Sequence, residues 1–300
     1  MELLRWASRP TLRDPVLVCA FAGWNDAGDA ATGAGRFLIE NWPAESIASI
    51  DPEDFYDFTS QRPSVRLLDD LTRIVVWPPN EFVALTPSLG SRDVIVLMGV
   101  EPHLRWRTFC EQVFEVVDTF GVKMVLTLGA LLAEVPHNRP VGVMGTASDD
   151  VLADRFELQR SRYEGPTGIV GVLQDFCRQR DIPAASLWAT VPHYAPGASS
   201  PKAALALVER LSLMLDLPIA TTALQIASAA YERQVNELIE GDDDLVAYVE
   251  RLESMYDDGT LGDDDDEDDD EIDGEDEIDN PSGELLVEEV ERFLRDQGPS

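Results

Sequence analysis

The sequence predicts an α/β fold built on a mainly parallel sheet with helices on both of its faces. Two observations carry that reading. Short runs of Val, Ile, Leu and Met alternate with longer amphipathic stretches over residues 13–217. Several of the short runs are apolar at nearly every position, as strands covered on both faces are. Strand alternating with helix is the pattern of a sheet whose crossovers are helices.

The elements follow in order. Residues 16–22 form the first strand, and residues 26–41 the helix after it. Strands are expected at 46–50, 73–77 and 93–99, then a helix over 104–120. Strands at 123–130 and 141–147 precede a helix over 167–180, a strand at 186–191 and a helix over 201–215. Thr167 and Ser200 read as helix caps, and Pro201 suits a first helical position. Right-handed crossovers then set every strand-to-helix loop along one edge of the sheet.

The chain changes character after Leu217. Leu224, Ala227, Tyr231, Val235 and Leu238 recur at helical spacing, Gly241 breaks the pattern, and Leu245, Tyr248, Val249, Leu252 and Tyr256 resume it. The expected organisation is an α/β core over 1–217 and an antiparallel helical hairpin over 218–256 packed on it. A disordered acidic linker over 257–283 follows, then an amphipathic helix over 284–297 with Leu286, Val290, Phe293 and Leu294 on one stripe.

Charge narrows the partners. Of the net −34, residues 241–300 carry −23 and residues 1–240 carry −11. So acidic a body repels nucleic acid and anionic membranes. Proteins or small molecules are the expected partners. Cys19, Cys110 and Cys177 have no metal-ligand spacing and read as buried reduced thiols of a cytoplasmic protein. No signal peptide and no membrane span is expected.

Three features carry candidate chemistry. The segment FAGWNDAGDAATGAG, residues 21–35, begins as a phosphate-binding strand-loop-helix does. No Gly-Lys-Ser/Thr follows, however, and Asp26 and Asp29 stand at the helix start, where a carboxylate already caps the N–H groups. The small residues Gly28, Ala31, Gly33 and Gly35 then read as a close-packing face. Second, each histidine follows a proline after a strand: His103, His137 and His193. They are expected along one sheet edge, with no zinc site, since no Cys or carboxylate stands at ligand spacing beside them. Third, the loops 163–171 and 192–204 border the same edge. No nucleophile elbow and no His-Glu-x-x-His is present in the sequence.

Five ordered segments resemble a known family: FAGWNDAGDAA, GVEPHLRW, LGALLAEVPHNRPVGVMGTASD, YEGPTGIVGVL and SLWATVPHYAPGASSPKAALAL. Over residues 13–215, and more loosely the helical hairpin, the chain resembles the bacterial (actinobacterial) branch of the proteasome assembly chaperone family. The resemblance implies a three-layer α/β sandwich like that of nucleoside phosphorylases. It also implies a non-enzymatic role, in which members bind proteasome α-subunits and guide ring assembly. No catalytic residue and no cofactor follows from it. Eukaryotic and archaeal members carry a C-terminal hydrophobic-Tyr-x motif, whereas this chain ends RDQGPS.

The expectation is therefore a cytoplasmic protein-binding chaperone, assembled as a homo-oligomer and contacting neither nucleic acid nor membrane. The rival reading is an enzyme or small-molecule binder using the strand-edge cleft of a phosphorylase-like fold. A phosphate there needs cations, and Arg105, Arg107 and Arg139 are the ones to test. The candidate cleft or interaction residues are Gly23, Trp24, Asn25, Asp26, His103, His137, Asn138, Arg139, His193 and Tyr194.

Overall fold

The computed structural model describes residues 3–68, 71–160, 165–195 and 197–260. In chain order these are β1 (Leu4–Trp6), β2 (Val16–Ala22), α1 (Ala30–Asn41), β3 (Ala44–Ile50), β4 (Ser64–Leu67), β5 (Arg73–Val76), β6 (Asn80–Leu85) and β7 (Val94–Val100). There follow α2 (Trp106–Phe120), β8 (Met124–Ala133), β9 (Val143–Ala147), α3 (Asp150–Phe156), α4 (Ile169–Gln179) and β10 (Ala184–Pro192). Helices α5 (Pro201–Leu215), α6 (Thr222–Ile239) and α7 (Asp243–Asp257) complete the described chain. The linker expected over 257–283 starts too early, since Asp257 ends α7 and is held by Arg139; residues 261–283 and the helix expected over 284–297 lie outside the described residues.

Eight strands form one sheet in the order β1-β3-β6-β7-β2-β8-β10-β9. The inner four, β7, β2, β8 and β10, run parallel, and the strands flanking them pair antiparallel. Side chains alternate across a strand, so β2 feeds both faces. Val16, Val18 and Ala20 pack under α1 and α5, while Leu17, Cys19 and Phe21 pack under α2 and α4. This is the expected α/β sandwich of three layers.

The bareness of α1 has its reason in this packing. A Cβ added at Gly33 would sit 3.4 Å from Ala204 of α5, and one at Gly35 would sit 3.3 Å from Ala20 of β2. Gly28, in the turn before α1, is left-handed (φ 57°), and a Cβ there would lie 3.0 Å from the Cβ of Ser200. The three cysteines are buried free thiols. Burial raises Cys19 and pushes Cys110 and Cys177 up to about 12, so all three stay protonated.

Four further expectations need correction. The run 73–77 does not join the main sheet. Arg73–Val76 pairs only with Ser64–Leu67, in a two-stranded hairpin whose side chains are largely exposed. The run 141–147 shortens to Val143–Ala147 and lies antiparallel at the sheet's edge. The first helix starts at Ala30 rather than at Asp26, because residues 27–29 form a tighter 3₁₀ turn broken at left-handed Gly28. On α6 the apolar stripe ends in buried Ile239, leaving Leu238 in solvent. Among the described residues no helix is long and apolar enough to cross a membrane.

Candidate functional site

The parallel strands β2, β7, β8 and β10 all end at one sheet edge. There Gly23 turns the chain out of β2 with φ 130°, a conformation open to glycine. The Asp26 carboxylate then reaches forward over the 3₁₀ turn. One oxygen accepts the N–H groups of Ala31 (2.7 Å) and Thr32 (3.1 Å), and the other accepts the Thr32 hydroxyl (2.5 Å). The N-terminus of α1 is thus closed by a carboxylate, as the sequence indicated. Burial raises the Asp26 carboxyl above its ordinary range, against the pull of these hydrogen bonds, and the neighbouring Asp29 adds to the rise. Asp29 itself does not cap α1: it is left-handed, and its carboxylate accepts the Ser199 hydroxyl at 2.7 Å.

A second carboxylate does the same at α4. Glu101, just past β7, accepts the N–H of Ile169 at 2.8 Å. Its carboxyl is raised by burial, which that hydrogen bond and His103 oppose. The cap position of α4 is Gly168, not Thr167. A Cβ at Gly168 would fall 2.8 Å from Glu101 Oε1 and 3.3 Å from the Trp24 ring. At α5 Ser200 does cap as expected, accepting from Ala203 N–H at 3.2 Å.

The histidines leave the expected strands, and His137 and His193 meet at the Tyr194 ring while His103 stands apart. His103 is exposed on the β7 side, where its Nδ1 accepts the N–H of Asp57 (3.2 Å) and its ring stands edge-on to Tyr56. His137 is 1% exposed, past β8. Its two ring nitrogens are held by the Tyr194 hydroxyl (2.8 Å) and Asn236 Oδ1 of α6 (2.9 Å). Burial lowers its pKa, Asn236 opposes this, and the Lys202 ammonium adds to the lowering. Lys202 donates to the His137 carbonyl at 2.6 Å and pairs with Glu232 at 2.5 Å. His193 stands edge-on to Tyr194 and Tyr248. Among the described residues no three His, Cys, Asp or Glu side chains gather as a metal ion requires.

The arginines that a phosphate would need are engaged or turned elsewhere. Arg139 forms two hydrogen bonds to Asp257 (2.7 and 2.8 Å) and a longer contact to Glu253, while Asn138 donates to Glu253 at 2.5 Å. These contacts tie the β8 exit to α7. Arg105 pairs with Asp54 at 2.8 Å, and Arg107 lines an open groove beside α4 with Asp175 and Gln179. Two candidates are different, and at the first of them, His193, Nδ1 is buried with no hydrogen-bond partner among the described residues. Asn25 is fully buried, and neither polar atom of its amide has a partner among the described residues. Its backbone carbonyl accepts from Ala130 of β8.

Trp24 and Leu104 are the large apolar side chains left exposed on the β2–β7 part of this edge. Sequence reasoning missed Glu101, Thr32, Lys202 and Asn236. Each acts on an element distant in sequence, or through a residue type with no motif of its own.

The comparisons agree with this architecture. The PAC2 family profile matches residues 20–239. A Mycobacterium tuberculosis proteasome-assembly chaperone homologue is 45% identical, with TM-score 0.72 over 78% of this chain and 99% of that one. A PAC2 family protein from Streptomyces avermitilis is 43% identical, with TM-score 0.74 over 79% and 100%. The archaeal proteasome activator PbaB of Pyrococcus furiosus shares the fold at 19% identity, with TM-score 0.64 over 78% and 97%. Among curated proteins none matches the chain. A sandwich of this topology and two actinobacterial relatives above 40% identity lead to one conclusion: the chain belongs to the PAC2 family.

Proposed function

We propose that the protein is a non-enzymatic, protein-binding chaperone of the proteasome-assembly kind, acting on proteasome α-subunits in the cytoplasm as a homo-oligomer. The relative at 45% identity, itself a proteasome-assembly chaperone homologue, supports the chaperone part. The carrying observation for docking rather than chemistry is the occupation of the strand edge by the chain itself. Open α/β sheets take anions at helix N-termini on this edge. Here the Asp26 and Glu101 carboxylates already hold those N–H groups on α1 and α4. A phosphate would meet like charge at both helix starts. The edge offers a partner Trp24, His103 and Leu104 instead, while Asp26, His137, Asn138, Arg139 and Tyr194 hold the surrounding loops in place.

A second reading keeps one specific support. Asn25 is a buried amide with no internal partner, and such groups are rare in native proteins. A small ligand hydrogen-bonded to it would make the edge a binding cleft.

Native mass spectrometry of the full chain mixed with α-subunits of the same organism tests the first reading. It predicts a mixed complex at about 10 μM of each partner, weakened at least tenfold by Trp24→Ala. α-subunits that remain unbound beside the folded chain contradict it.

A further inference from the structure

The chain leaves its last described helix at the strand edge. Asp257, which ends α7, is fixed by two hydrogen bonds from Arg139, past the exit of β8. Glu253, one turn earlier, is held by Asn138 and Arg139. In the sheet β8 neighbours β2, whose exit carries Trp24. The residues beyond Thr260 therefore start from the edge that presents Trp24.

On the α2–α4 side of this edge lies an open groove of about 660 Å³. Half-buried Gly171, Val172 and Phe176 of α4 line it, and Arg107, Asp175 and Gln179 border it. At its end Trp24, 38% exposed, stands over Gly168, where a Cβ would come 3.3 Å from the ring. From Gly168 to Phe176 is about 12 Å of helix. Its acids are committed: Asp175 to Arg178 and Gln179, and nearby Glu101 to the Ile169 N–H. Arg107 pairs with no carboxylate among the described residues, Glu111 one turn along α2 included.

Position, length, shape and charge select one occupant. Residues 261–283 are 14 Asp or Glu in 23, with no apolar run, so the first segment that can cover an apolar groove is 284–297. Those 23 residues would reach roughly 25–30 Å as a coil, and further as their charges repel. The groove lies about one strand spacing (~5 Å) and one layer (~10 Å) from the exit of β8. Leu286, Val290, Phe293 and Leu294 fall on one helical face. That stripe is also about 12 Å long, the length of the groove. Glu284, Glu288, Glu289, Glu291 and Asp296 outnumber Arg292 and Arg295 in the segment, the sign that an unpaired Arg107 attracts. A tethered segment is also present at about millimolar effective concentration, which a free client does not match.

We propose that residues 284–297 fold back onto this groove of their own chain, laying Leu286, Val290, Phe293 and Leu294 against Val172, Phe176 and Trp24, with their acids toward Arg107. The docked segment shades Trp24, so a client must displace it: the contact is autoinhibitory. The docking concerns this chain alone, and only its effect on a client rests on the proposed function.

Thiol labelling of the full chain tests it. The native cysteines are buried, so Gln179→Cys supplies a surface thiol at the groove's border. Maleimide labelling there should be at least about fivefold slower than in the same chain carrying Val290→Asp and Phe293→Asp. Both of those substitutions lie outside the described body, and an unchanged melting midpoint shows that the body is intact. The ratio of the two rates should hold from about 1 to 100 μM, below the effective concentration of the tether. It should fall toward one when both chains also carry Arg107→Glu. Three results overturn the proposal. Equal rates in the two chains mean an uncovered groove. Protection that grows with chain concentration makes a second copy the occupant. A ratio unmoved by Arg107→Glu places the segment elsewhere. None of these bears on α-subunit binding, which the mixed-complex measurement reads separately.

Discussion

Asp26 carries the opening loop, and its substitution separates the cap from the charge. Asp26→Ala leaves the N–H groups of Ala31 and Thr32 buried without partners, at a cost of about 1–2 kcal/mol. Asp26→Asn keeps an acceptor oxygen, and burial already disfavours the charged carboxylate, so it should cost less than half as much by urea unfolding. Equal losses would contradict the cap. Asn25 behaves in the opposite sense. Its amide is buried and unpaired, so Asn25→Leu, of similar size, should raise the melting temperature. A drop would reveal a partner for the amide, a water or a ligand. His137 supplies the pH dependence. Its folded pKa lies below the ordinary value of about 6.5, so the unfolded chain takes up the proton first. The stability from neutral His137 is complete above about pH 6.5 and is lost as pH falls below it. The raised carboxyls of Asp26 and Glu101 act in the reverse direction. The readout is therefore the difference between the wild-type chain and His137→Gln, which should narrow between pH 7.5 and pH 5. Residue roles were legible where partners are close in sequence. Asp26 showed as an acid at a helix start. Glu101 did not, because the N–H that it holds lies 68 residues away, at Ile169.

Among the elements, α1 is the most constrained. Ala31 is fully buried, and the small face of its helix packs against both β2 and α5. Ala31→Leu should overpack the layer and cost about 1–3 kcal/mol. An unchanged unfolding midpoint would mean that the face has slack. The parallel strands were readable because they are apolar at nearly every position, as at β2, β7 and β8. Helix α5 was readable at its start, which Ser200 and Pro201 mark, and the structure ends it where expected, at left-handed Asp216. Strand β5 was readable as a strand but misplaced. A run such as RIVVW has the same pattern whether a sheet buries it or solvent surrounds it, and only its pairing with exposed β4 decides. Strands β1, β4 and β6 and helix α3 were not expected at all. β1 has three residues and α3 seven, too few to show a period. β6, NEFVAL, mixes buried polar Asn80 with its apolar positions.

At the scale of the whole molecule, the same strand edge that serves other open α/β sheets as a ligand cleft is filled from within. Carboxylates stand on two helix N-termini, His137 is fixed at both ring nitrogens, and Arg139 is bound to α7. With a net charge of −34, the molecule also repels anions before they arrive. The layers were legible in the sequence, since alternation alone predicts them. The closure of the edge was legible only at Asp26, because the other contacts join β8 to α6 and α7, and β7 to α4. The most direct test of docking over chemistry is calorimetric titration of the full chain with ATP, GTP and nucleosides in the presence of inorganic phosphate. The predicted result is no binding tighter than about 1 mM, roughly −4 kcal/mol. A micromolar affinity, abolished by Gly23→Val or Asn25→Leu, would contradict it and make the edge a ligand site.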